Sequence, residues 1–115
     1  MIVPQLKSLM SPDLDEPALP SDPTDCEVFL ELEIGSSGSR GADIFSCTVI
    51  TPAAYGRKKL PSWGRTYLIV HEFNWVIVRQ AIENLLMHAC RDTWDEVVTA
   101  LNKELGWEFE SYRKD

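Results

Sequence analysis

The stretch Cys26 to Ile34, CEVFLELEI, constrains the fold more than any other part of the chain. Val28, Leu30, Leu32 and Ile34 fall on one side, and Glu27, Phe29, Glu31 and Glu33 on the other. A period of two belongs to a strand whose one face is core and whose other face meets water. The open side is a row of carboxylates interrupted by one aromatic ring. Gly35 to Gly41 follows as a glycine-rich connection, then Ile44 to Thr51 as a second strand with Phe45, Cys47 and Val49 inward. Two such runs joined this way predict a hairpin. Gly35, Gly38 and Gly41 raise the question of a phosphate-binding loop, but such loops work by leading into a helix N-terminus. Here the loop leads into a strand.

The C-terminal stretch Thr93 to Tyr112 is as strongly patterned. Thr93 and Glu96 have the spacing of a capping box, and Trp94, Val97, Val98, Leu101 and Leu105 then recur at helical spacing. Gly106 stands where a left-handed helix cap is wanted. Trp107 and Phe109 alternate with Glu108 and Glu110, which predicts a terminal strand.

The remaining elements are placed around these two. Ile2 to Leu9 is expected as a first strand, with Pro4 tolerated at a sheet edge. Ser11 to Asp25 holds four prolines and five acids and reads as an extended surface connection, anchored by Leu14 and Leu19. Pro52 to Gly64 reads as a second long connection carrying Arg57, Lys58 and Lys59. Thr66 to Phe73, with Tyr67, Leu68, Ile69 and Val70 in succession, predicts a central strand covered on both sides. Asn74 is a helix cap for a segment running to Cys90, with Trp75, Val78, Ile82, Leu85, Leu86 and Ala89 as its apolar stripe. Strands grouped together and helices grouped together predict an α+β fold: an antiparallel sheet of four to five strands with two consecutive helices on one face.

At 115 residues the chain is expected to be one domain with its own hydrophobic core. No run of about 18 apolar residues is present, so no membrane span is expected. The opening MIVPQLKSLM lacks the basic and apolar regions of a secretory signal, which predicts a cytoplasmic protein. Cys26, Cys47 and Cys90 are odd in number and lack CxxC spacing, which fits a reducing compartment. Cys47 and Cys90 read as small buried hydrophobes.

Net charge is −7 and unevenly spread. Ser8 to Ser39 holds eight acids and no Lys or Arg, whereas Arg40 to Thr66 carries Arg40, Arg57, Lys58, Lys59 and Arg65 against Asp43 alone. An acidic chain is a poor nucleic-acid binder, because phosphate contacts need cations. It suits a basic protein partner, whose encounter it would accelerate. The plainer reading of the same charge is solubility.

Catalytic equipment is sparse. His71 lies in the expected buried strand and reads as a structural histidine. His88 and Cys90 lack a second pair of metal ligands and the spacing of a zinc site. No metal or cofactor is expected. The pairs Glu31/Glu33 and Glu108/Glu110 share strand faces, but neither has an apolar pocket or a cation nearby to tune it for acid–base work. They read either as a solvated sheet face or, with Phe29 and Tyr112 among them, as a protein-binding patch.

The order SPDLD, Ile34-Gly35, Gly38, Gly41, Phe45 and Thr51-Pro52 resembles the immunity protein 8 family of bacterial polymorphic toxin systems. The resemblance continues through Trp63-Gly64-Arg65, Leu68-Ile69-Val70, Trp75, Cys90, Thr93-Trp94 and Trp107-Glu108-Phe109-Glu110-Ser111-Tyr112, from Leu6 to Tyr112. It implies a non-enzymatic antitoxin that binds the toxin domain encoded beside it. Trp94, Trp107 and Phe109 are then expected as core. Toxin contacts are expected on exposed charge: Glu27, Phe29, Glu31, Glu33, Glu108 and Glu110, with Asp13, Asp15 and Glu16 as rim. The rivals are a small enzyme using His71 or His88 with a cysteine, and an acidic adaptor subunit.

Overall fold

The alternating run is the second strand of a mixed sheet. A computed structural model describes residues 1–109, with β1 Pro4–Met10, β2 Glu27–Ser36, β3 Asp43–Ile50, α1 Pro52–Gly56, β4 Tyr67–Ile69, α2 Trp75–Met87, α3 Trp94–Leu101 and β5 Gly106–Trp107. Strand order is β1-β2-β3-β4, and β5 pairs with β3. The far edge of β3 is therefore shared: its last residues pair with β4, and Phe45 and Ser46 pair with Trp107 and Gly106.

The predicted hairpin is β2 and β3, paired antiparallel from Glu27↔Ile50 to Ile34↔Asp43. Gly35 is required where the connection folds back, because a Cβ there would sit 2.0 Å from the Gly41 carbonyl oxygen. Gly38 takes φ +82° at the turn, a region that glycine enters without steric cost. Val28, Leu30, Leu32 and Ile34 are buried together with Phe45, Cys47 and Val49. The buried stripes of α2 and α3 meet them: Trp75, Val78, Ile82 and Leu86 from one, Val97, Val98 and Leu101 from the other. The α+β architecture and the helix-covered inner face are as expected.

Several boundaries differ from the sequence reading, each for a physical reason. The strand expected over Thr66 to Phe73 shrinks to Tyr67–Ile69, lies at an edge rather than the centre, and runs parallel to β3. Its apolar run reflects two different surroundings: Val70 is buried in the core, while Ile69 is 57% exposed. The sheet is consequently mixed rather than wholly antiparallel. The connection after Thr51 begins with a helical turn, α1. Thr51 caps it, accepting from the Ala54 N–H, and Pro52 follows where its missing N–H costs nothing. The Thr51 hydroxyl also accepts from the Cys26 N–H at 3.0 Å, which ties α1 to the start of β2. Ile50 and Ala54 are buried here, apart from the main core.

The capping box of α3 is present, with Thr93 and Glu96 bonded reciprocally. Gly106 is not a left-handed cap. The helix ends at Leu101 with Asn102 in a right-handed conformation, a turn follows, and Gly106 opens β5 beside Ser46. At the N-terminus the first strand begins at Pro4, on the sheet edge, with a register shift between Leu6 and Ser8. The helix capped by Asn74 stops at Met87, short of Cys90. In the acidic connection Leu14 packs on the core, while Leu19 is exposed.

Candidate functional site

Because α2 and α3 cover one side of the sheet, the other side of β2 is left to solvent. Register determines what stands there. The pairings Met10↔Glu31 and Ser8↔Glu33 bring β1 residues beside the β2 carboxylates. Phe29 pairs with Thr48, Glu31 with Ser46 and Glu33 with Ile44 on β3. Thr48 in turn pairs with Tyr67 of β4. One outer surface thus carries a row Phe29–Thr48–Tyr67 and a row Ser8–Glu33–Ile44. Phe29 is 40% exposed, and Met10 and Ile44 are exposed opposite Glu31 and Glu33. Glu108 donates its backbone N–H to the Ile44 carbonyl, and its carboxylate accepts from the Ile44 N–H, so it extends the second row.

The acids of this face are not equivalent. Lys58 from the loop after α1 reaches Glu27 at 2.9 Å, neutralising it, and its ammonium lies 5.1 Å from the Tyr67 ring centroid. Glu33 accepts from the Ser8 hydroxyl at 2.6 Å and has no cationic partner among the described residues. Among the described residues, Glu31 has no ion-pair or hydrogen-bond partner. Phe29, Glu31 and Glu33 therefore form the part of the predicted set that is together and electrostatically available, Phe29 and Glu33 exposed and Glu31 half-buried, with Met10 and Ile44 as apolar neighbours. Met10 and Ile44 escaped the sequence reading because only strand pairing places them next to the carboxylates.

The predicted rim lies elsewhere. Glu16 is held by Arg79 of α2 at 2.6 Å and 3.0 Å, and the Trp75 indole N–H donates to the Ala18 carbonyl at 2.7 Å. The acidic connection carrying Asp13, Asp15 and Glu16 is thus tied to the helix layer, not to the open sheet face. The Arg79 guanidinium lowers the Glu16 carboxyl below the ordinary glutamate range by hydrogen bonding. Arg57 does the same for Asp25. Charge-run reading could not see that two of the basic loop's cations would fold back onto acids. Glu110 and Tyr112 lie outside the described residues.

The aromatic residues expected in the core divide. Trp94 and Trp107 are partly buried and packed on it, and both indole N–H groups donate to Asp43 Oδ2 at 3.1 Å. Phe109 is 43% exposed and meets Trp107 edge-on at 5.5 Å, so it is not a core residue. Asp43 was missed as a structural centre. Its only sequence signal was that it is the lone acid in a basic stretch.

The nucleophile candidates are dispersed. His71 is exposed on a bend rather than buried in a strand, because β4 has already ended. His88 Nδ1 contacts the Asn84 carbonyl at 2.8 Å, and Cys90 Sγ donates to the Met87 carbonyl at 3.6 Å. Both thus serve the last turn of α2, and Cys90 is half-buried rather than buried. Burial pushes the Cys47 thiol up to about 11, which keeps it protonated near neutral pH. The three cysteines are free. Among the described residues there is no group of three or more His, Cys, Asp or Glu side chains that could hold a metal, and no helix long and apolar enough to cross a membrane.

A family model described as immunity protein 8 matches residues 5–112, nearly the whole chain. No curated protein and no solved structure matches it.

Proposed function

This chain belongs to the immunity protein 8 family, and on that premise we propose that it neutralises a cognate toxin domain encoded nearby by stoichiometric binding. The contact surface is the open sheet face centred on Phe29, Glu31 and Glu33. The observation that carries this reading is a face left open by α2 and α3 on which an exposed aromatic ring stands beside Glu31 and Glu33, neither of which has a cationic partner among the described residues. Interfaces concentrate their energy in such desolvatable aromatic anchors, while the surrounding charge sets encounter rate and partner choice. Glu27 and Glu108 border the face. Asp13, Asp15 and Glu16 have no place in this contact, since their connection is tied to α2. The protein acts as an inhibitor rather than an enzyme, in the cytoplasm, where the toxin would otherwise harm its producer.

The test is growth rescue. The neighbouring toxin domain is expressed inducibly in a bacterial host with and without this protein, and complex formation is followed by size-exclusion chromatography. Rescue with a one-to-one complex is expected from the wild type. The double charge reversal Glu31→Lys/Glu33→Lys should weaken binding at least tenfold while leaving the thermal melt near that of the wild type. Undiminished inhibition by this double variant would remove the sheet face from consideration.

A further inference from the structure

The geometry points to a second contact element: the loop tip Leu60 to Gly64, whose Trp63 inserts as an aromatic anchor into an apolar recess of the toxin. This rests on the immunity reading above. Trp63 is 97% exposed and its neighbour Leu60 is 71% exposed. The other three tryptophans each give their indole N–H to a named acceptor, Ala18 or Asp43, and pack on the core. Trp63 does neither. A large flat ring left fully in water is the feature from which interface hot spots are made.

The tip is exposed, but its feet are pinned. On the N-terminal side Lys58 grips Glu27 and lies over Tyr67, and Tyr67 stacks edge-on with Tyr55 at 5.7 Å. On the C-terminal side Arg65 donates to Asn102 Oδ1 at 3.1 Å and to the Leu105 carbonyl at 3.2 Å. Gly64 comes so close to Tyr55 that a Cβ would lie 3.2 Å from its hydroxyl. A loop held this way presents its ring with little ordering left to lose on binding. Through Tyr67 and Glu27 the loop also borders the row that begins at Phe29, so one partner can cover both.

Charge decides the class of partner. The basic look of the loop suggests phosphate, but Arg57 and Lys58 are committed to Asp25 and Glu27, and Arg65 to α3 and the turn after it, so that of these loop cations Lys59 is the one with no partner among the described residues. The whole chain carries −7, which opposes nucleic acid and anionic lipid alike. What the tip offers is the ring, and a ring needs an apolar recess on a protein.

The experiment uses the full chain and a catalytically inactive form of the neighbouring toxin domain. Dissociation rates are measured for the wild type, Trp63→Ala and Trp63→Phe, and iodide quenching of tryptophan fluorescence is recorded free and bound. Trp63→Ala should weaken binding roughly 30-fold, mainly through faster dissociation, with Trp63→Phe recovering part of the loss. The quenchable fraction of the free wild type, defined by its loss in Trp63→Phe, should vanish in the complex. A complex whose affinity changes less than about threefold on Trp63→Ala, or in which Trp63 stays quenchable, overturns the proposal but leaves the immunity reading standing. No complex with the wild type at all overturns both. Trp63-dependent sedimentation with phosphatidylglycerol vesicles would also overturn it, in favour of a lipid surface.

Discussion

A single carboxylate organises the C-terminal third of the chain. Asp43 sits at the beginning of β3 and accepts from two indole N–H groups, one on α3 and one on β5. Without it both donors would be left half-buried and unpaired, and the terminal strand would lose its side-chain tie to the helix layer. Asp43→Ala should therefore destabilise the fold by roughly 2 kcal/mol, the usual cost of orphaning donors to a charged acceptor. Urea denaturation followed by far-ultraviolet circular dichroism measures this, and a loss under about 0.5 kcal/mol would show the carboxylate to be dispensable. Trp94 and Trp107 were legible from helical spacing and from alternation as residues that turn inward. Their common acceptor was not, because residues 43, 94 and 107 are neighbours only after the sheet closes.

Among the elements, the acidic connection 11–25 looks from its composition like a chain that could float. Its prolines and acids correctly mark it as surface, yet it is moored by Glu16–Arg79, Asp25–Arg57 and the Trp75–Ala18 hydrogen bond. Both carboxyls titrate below their ordinary range, with hydrogen bonding to the arginine as the leading cause. A lowered folded pKa means that the mooring is complete above the ordinary carboxylate range and is released as pH falls through the folded values. Amide protection factors over residues 11–25, with the fall of intrinsic exchange on acidification divided out, should therefore drop as pH falls through those lowered values, well before the core strands respond. Arg79→Ala should produce the same local loss of protection at neutral pH with little change in global stability, since exposed pairs contribute little. Equal protection in both proteins would show that the Glu16–Arg79 pair is not needed to hold the segment. A misassigned element, β4, teaches the complementary lesson. Four consecutive apolar residues read as a central strand, but in the fold they divide between an exposed edge and the core, which hydropathy alone does not distinguish.

For the whole molecule, Glu31 and Glu33 stand without a cationic partner among the described residues on the side of the sheet away from α2 and α3, in a chain of net charge −7. An acidic protein of this kind should associate with a basic partner at a rate that falls with ionic strength. We expect the association rate with the toxin domain to drop roughly tenfold between low salt and 0.5 M sodium chloride, while dissociation changes far less. Glu31→Lys/Glu33→Lys should flatten that dependence. A salt-independent association rate in the wild type would mean that the face contributes no steering. Slow dissociation, by contrast, is a matter for the rings, Phe29 on the sheet and Trp63 on the loop.

Local chemistry written in the sequence determined the α+β class, the β2–β3 hairpin, the Asn74 and Thr93 helix starts, and which side of β2 is wet. Each of these follows from a period, a cap or a turn residue acting over a few positions. Tertiary structure alone decided that β4 runs parallel at an edge, that Asp43 joins two tryptophans, and that Lys58 and Arg79 neutralise Glu27 and Glu16. It alone left Glu31 and Glu33 without a cationic partner among the described residues, beside Phe29, and set Trp63 in water. Those outcomes depend on contacts between residues some 20 to 65 positions apart, and such distances carry no periodic signal.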